Sequence, residues 1–142
     1  MSYFTIMREK KMPVLVMFID LDRLKYINDT FGHEYGDFAI VSIAKAMLKH
    51  CDADAIAART GGDEFIVLEG AKDEESGRVL AQKIRTELSK TQRAMQLPFD
   101  LGASIGAVVA HPGEENVLES YVKRAEMLMY EEKAEKKVSR DS

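Results

Sequence analysis

Val14-Leu15-Val16-Met17-Phe18-Ile19-Asp20-Leu21-Asp22 sets six apolar residues in a row ahead of two acids one residue apart. An unbroken apolar run of this length, rich in β-branched and aromatic side chains, reads as a central strand covered on both faces. Pro13 stands just before it. An Asp that ends such a strand is held rigidly, and its loss of water favours a compensating cation. That reading suits Asp20. Asp22 has an ordinary one, as the cap of the helix that follows.

Outward from this strand the periodicity changes. From Glu34 to His50 the apolar residues Ala39, Ile43, Ala46 and Met47 recur at helical spacing. The shorter Asp22–Asn28 stretch is read as helical too. Ala55–Arg59 and Glu64–Leu68 flank Gly61-Gly62, a pattern for two strands joined by a tight glycine turn. Leu80, Ile84 and Leu88 mark another long helix. Phe99–Ala110 reads as a strand closed by Pro112-Gly113, and Leu118, Val122, Ala125 and Met129 mark a final helix. Apart from a short helix at the N-terminus, the order is β-α-α-β-β-α-β-α. A β-β hairpin between helical crossovers predicts an α+β, ferredoxin-like, palm-type sandwich, with an antiparallel-containing sheet flanked by helices. Residues 1–142 are expected to form a single domain.

Composition narrows the function classes. The 142 residues are 46% hydrophobic and 31% charged, ordinary for a globular chain, and no apolar run approaches a membrane span. Cys51 is the only cysteine, which excludes an internal disulfide. With no secretory leader, the cytoplasm is the expected compartment, though a parent protein could be membrane-anchored. A net charge of −4 argues against a nucleic-acid duplex as main partner. It leaves room for a nucleotide, because divalent metals can stand between a polyphosphate and acidic residues.

The second acidic site is Arg59-Thr60-Gly61-Gly62-Asp63-Glu64-Phe65. Paired glycines allow unusual backbone angles and let a ligand approach the main chain. Strand geometry predicts that Asp63 and Glu64 point to opposite faces and do different work. Alone, the segment would be an exposed hairpin tip.

Five segments together resemble the GGDEF domains of diguanylate cyclases. Asp20-Leu21-Asp22-Arg23-Leu24-Lys25-Tyr26-Ile27-Asn28-Asp29 is similar to their D-x-D-x-F-K-x-x-N-D stretch, and Gly32-His33-Glu34-Tyr35-Gly36-Asp37 to their G-H-x-x-G-D. Gly61–Phe65 matches the segment that names the family, with Arg59 at the family's spacing. Ser104-Ile105-Gly106 resembles the later S-I-G strand, and Ala125, Tyr130 and Lys133 fit the closing helix. Five motifs in order, from Asp20 to about Lys133, are far more specific than any one.

The resemblance implies condensation of two GTP molecules into cyclic di-GMP with release of two pyrophosphates. It implies Asp20, the Leu21 carbonyl and Asp63 as ligands for Mg²⁺, with Mn²⁺ the alternative ion. Asn28 and Asp37 would read guanine, an amide and a carboxylate suiting its donor and acceptor edge. Lys25 and Lys133 would steady the triphosphate, and His33 would assist near the nucleotide. Asp63 is the candidate acceptor of the 3′-hydroxyl proton, and Glu64 is a supporting acid. Each protomer would hold one GTP, so catalysis would require a symmetric homodimer.

The chain also departs from the family pattern. The D-x-L-T-G-L-x-N-R segment ahead of the first strand is missing, so the chain is expected to be part of a longer protein with an N-terminal sensor or dimerisation region. Leu24 replaces a phenylalanine. Glu126 replaces an aspartate, and Lys136-Lys137 stand where Gly-Arg is usual, leaving Lys137 to make a phosphate contact without arginine's bidentate fork. His50-Cys51-Asp52-Ala53-Asp54-Ala55 lacks the R-x-x-D of the inhibitory product site, so that form of inhibition is expected to be absent. These changes make a catalytically silent, GTP-binding regulatory module the alternative. The tail Glu131–Lys137 otherwise reads as a solvated helix face with i,i+4 pairing such as Glu132 with Lys136.

Overall fold

The computed structural model describes residues 12–113 and 117–141; the short N-terminal helix expected from sequence lies outside them. Among the described residues the elements are β1 (Val14–Leu21), α1 (Leu24–Phe31), α2 (His33–His50), β2 (Ile56–Arg59), β3 (Glu64–Gly70), α3 (Ser76–Ala94), β4 (Ala103–Ala110) and α4 (Leu118–Asp141). The sheet order is β2-β3-β1-β4, with all three pairings antiparallel. Each helical connection therefore skips over one strand, β1 to β2 across β3 and β3 to β4 across β1. This is the predicted α+β palm-type sandwich.

All eight residues of β1 are buried, as the apolar run requires. Their alternation feeds two cores. Leu15, Met17, Ile19 and Leu21 pack with Ile43 of α2 and Ile84 of α3, while Val14, Val16 and Phe18 pack with Tyr121, Ala125 and Met129 of α4. Each fully buried side chain of this size contributes about 1.5–3 kcal/mol. By the same alternation Asp20 falls on the α4 side.

Three local readings change. Asp22 does not cap α1: Arg23 is the N-cap residue, in the left-handed region at φ 59°, without a side-chain capping bond. The Asp22 carboxylate is taken by Ser104 Oγ, which donates to Asp22 Oδ1 at 2.6 Å. β4 starts at Ala103 rather than Phe99, because the Leu101 N–H is claimed by Gln92 Oε1 at 2.8 Å. The β2–β3 connection spans Thr60 to Asp63, closed by the Thr60 N–H on the Glu64 carbonyl at 2.9 Å. Gly61 and Gly62 have no positive φ, so the turn does not demand glycine on conformational grounds. Nothing lies within 4 Å of where a Gly62 side chain would sit, which leaves the main chain open to approach.

Candidate active site

The β1–β3 register sets Asp20 directly opposite Glu64, so the two side chains share a face. Asp63 sits in the turn just before β3, and its carbonyl accepts the Leu21 N–H at 2.9 Å. Outside the strand, Asp63 escapes the alternation that would send it to the far face. Asp20, Asp63 and Glu64 each offer a carboxylate oxygen within 4.8 Å of the others. The expected divergence of Asp63 and Glu64 is thus replaced by convergence. Arg59 steadies the turn from beneath, its Nε donating to the Gly61 and Gly62 carbonyls at 3.0 and 3.2 Å.

Asp20 is 4% exposed, and its Oδ1 makes no hydrogen bond among the described residues. Lys133 Nζ stands 3.1 Å from that oxygen as an ion pair and donates to the Leu21 carbonyl at 3.3 Å. Burial pushes the Asp20 carboxyl up to about 7; Lys133 pulls it down and the neighbouring Asp63 pushes it further up. Burial, with the Glu126, Glu64, Asp20 and Asp63 carboxylates, raises the Tyr130 phenol above its usual range. An all-oxygen donor set holding a buried, under-satisfied carboxylate suits a hard divalent cation such as Mg²⁺.

The remaining candidate residues divide into two groups. Asn28 lies at the α1–α2 corner: a side chain at Gly36 would fall 1.8 Å from Asn28 Oδ1, so the amide rests on the glycine one residue before Asp37. Gly32, at φ 103°, makes the corner, its N–H closing α1 on the Asn28 carbonyl at 3.0 Å. Lys25, His33 and Asp37 are exposed. Lys137 is exposed as well, with no ion pair among the described residues, and no contact brings it to the acids.

Sequence reasoning missed Lys136 and Glu132. Lys136 Nζ donates to Asp22 Oδ2 and to the Ala103 carbonyl, both at 2.7 Å, and pairs with Glu132 Oε1 at 3.2 Å. The Glu132–Lys136 pairing was legible, but not its location against β4. The second acid of Asp20-Leu21-Asp22 was the available signal, since a half-buried carboxylate beside Lys133 needs a further cation.

The sheet, its two skipped-strand crossovers and three acids gathered at one end of the central strands define a palm-type domain. Residues 4–139 match the family model for the diguanylate cyclase GGDEF domain, and the chain belongs to that family. It is 36% identical over 127 residues to the probable diguanylate cyclase DgcT of Escherichia coli, covering 87% of this chain and 28% of that protein. It is 34% identical over 134 residues to the diguanylate cyclase VdcA of Vibrio cholerae, covering 92% of this chain and 39% of that protein. The chain therefore spans well under half the length of these curated relatives. Among solved structures, the active GGEEF domain of a diguanylate cyclase from Vibrio cholerae superposes with a TM-score of 0.77 at 26% identity, over 90% of this chain and 81% of that one.

Proposed function

We propose that this chain is the catalytic domain of a diguanylate cyclase that joins two GTP molecules into cyclic di-GMP and releases two pyrophosphates. The observation that carries the reading is the convergence of Asp20, Asp63 and Glu64 on a buried, under-satisfied oxygen beside Lys133. The 3′-hydroxyl of one GTP attacks the α-phosphorus of the other; the bond to the β-phosphate oxygen breaks, and pyrophosphate leaves. Asp63, at the turn edge, accepts the hydroxyl proton, and Glu64 supports the charge of the site. Asn28 and Asp37 bind the guanine edge at the α1–α2 corner, with His33 nearby. Lys25, Lys133 and Lys137 neutralise the triphosphate. Asp20, the Leu21 carbonyl and Asp63 would hold Mg²⁺ or Mn²⁺, which when bound supplies Lewis-acid stabilisation of the attacking and leaving oxygens. Two such sites face each other in a homodimer, assembled in a longer protein by an N-terminal sensor or dimerisation region.

The test is to fuse the chain to a dimerising coiled coil, supply GTP and Mg²⁺, and measure cyclic di-GMP against an Asp63→Ala control. Product from wild type alone supports the reading, and equal traces from both sink it. A second reading, a GTP-binding regulatory module without turnover, is favoured by one feature: Lys137 is exposed and unpaired among the described residues, while Lys136 is committed to Asp22. Binding of a non-hydrolysable GTP analogue with no product in the enforced dimer selects it.

A further inference from the structure

Among the described residues β4 lies at the edge of the sheet, so one rim of its backbone has no strand there to pair with. Side chains from α4 close part of that rim. The Ile105 N–H donates to Glu132 Oε2 at 3.3 Å, and Lys136 Nζ donates to the Ala103 carbonyl at 2.7 Å. One helical turn separates the two side chains, and Glu132 Oε1 lies 3.2 Å from Lys136 Nζ. Together they imitate the donor and acceptor of a missing strand.

The pair is anchored from both sides. Arg85 of α3 reaches around the β4 edge from the other helical layer, its guanidinium donating to both Glu132 oxygens at 2.8 and 2.7 Å. Lys136 bonds Asp22 Oδ2 at 2.7 Å, while Ser104 Oγ holds Asp22 Oδ1 at 2.6 Å. Lys133 leaves α4 between these two fixed residues, and its ammonium reaches Asp20 Oδ1 and the Leu21 carbonyl. A lysine side chain loses about 2 kcal/mol of rotamer freedom when fixed, so where its ammonium lands depends on how firmly its own backbone is held.

We infer that Glu132 and Lys136, with Arg85 behind them, form a clip on the β4 edge that positions Lys133 against Asp20. Neither clip residue touches substrate in this account; both act through Lys133. The effect on nucleotide binding rests on the function proposed above, whereas the positioning of Lys133 does not. The clip residues are partly exposed, with side chains 22–37% accessible, and ion pairs of that kind contribute little to global stability. Their removal therefore leaves the fold in place while freeing the helix turn.

The test uses protein labelled at lysine side chains, with the Lys133 ammonium resonance followed by heteronuclear NMR in the absence of nucleotide. In Lys136→Met and Glu132→Ala the resonance moves toward that of a free lysine, and in Lys136→Arg it returns. An unmoved resonance in folded Lys136→Met and Glu132→Ala proteins overturns the inference. Calorimetry with a non-hydrolysable GTP analogue and Mg²⁺ is the second readout. Lys136→Met weakens binding at least fivefold, and adding it to Lys133→Met costs nothing more. Full additivity of the two changes also overturns the inference. Should wild type bind no analogue, the catalytic reading fails while the NMR comparison still decides the role of the clip.

Discussion

Lys133 Nζ stands 3.1 Å from Asp20 Oδ1, so a cation from the last helix meets an acid from the first strand at the end of the central sheet. The pairing is incomplete. One ammonium shared between a carboxylate and the Leu21 carbonyl does not repay the burial of Asp20, whose carboxyl remains pushed up to about 7. The site is thus built around a charge the fold does not itself satisfy.

That imbalance sets a pH dependence. Asp20 titrates near 3.8 when unfolded and near 7 when folded, so the native state favours its neutral form. Its contribution to stability is complete below about pH 4 and is lost as the pH rises through about 7. Metal-free protein should therefore melt several degrees higher near pH 5 than near pH 8. Asp20→Asn, which mimics the neutral acid, should flatten much of that difference; Glu69, also raised by burial, acts with the same sign. Thermal melts of the two proteins across this range are the measurement. An equal slope in both would remove Asp20 as the cause.

A divalent cation should reverse the penalty, because it favours the ionised carboxylate. Near pH 8, saturating Mg²⁺ is expected to raise wild-type stability by about 3 kcal/mol, the linkage value at roughly a hundredfold excess over the dissociation constant. Asp20→Asn should lose most of that gain and Glu64→Gln part of it, since the first neutralises a proposed ligand and the second a supporting charge among three acids gathered within 4.8 Å. Mn²⁺ titrations followed by electron paramagnetic resonance give the affinity directly. A Glu64→Gln protein that binds as tightly as wild type would remove Glu64 as a supporting charge for the metal.

Much of this arrangement could be read from the chain before folding. β1 announces itself because burial on both faces leaves an unbroken apolar run, and Asp20 stands out because it ends that run. The α4 stripe of Ala125 and Met129 is legible for the same reason, periodicity being a local property. What could not be read depends on distant partners. Glu132 and Lys136 look like a solvated i,i+4 pair, since Arg85, Ile105 and Ala103 are far away in sequence. Asp22 looks like a helix cap because Ser104 and Lys136 are equally remote. Asp63 and Glu64 converge only because β3 starts at Glu64 and not one residue earlier.

The α1–α2 corner yields a specificity prediction. At Gly36 a methyl group would lie 1.8 Å from Asn28 Oδ1 and 2.8 Å from its Cγ, so Gly36→Ala must push the Asn28 amide off the glycine. The proposed guanine contact should go with it. Binding of a GTP analogue is expected to fall at least tenfold, matching the loss in Asn28→Ala, with an overpacking cost of about 1–3 kcal/mol. Preference over an ATP analogue should shrink in parallel. If Gly36→Ala keeps full preference for guanine, Asn28 is not its reader.

Gly106 governs how near α4 comes to the sheet. A side chain there would meet the Ala125 carbonyl at 1.9 Å and the Met129 N–H nitrogen at 2.5 Å, both backbone atoms within a helix and unable to rotate away. Gly106→Ala must lift α4 from β4, thin the contacts around Val16, Phe18 and Met129, and draw Lys133 back from Asp20. The expected cost is about 3 kcal/mol, at the upper end for overpacking because no flexible side chain can yield. Urea unfolding measures it, and the Lys133 ammonium resonance reports the withdrawal. A variant as stable as wild type, with that resonance unmoved, would show that α4 can shift along the strand without loss, and the close approach at Gly106 would then have no hold on the site.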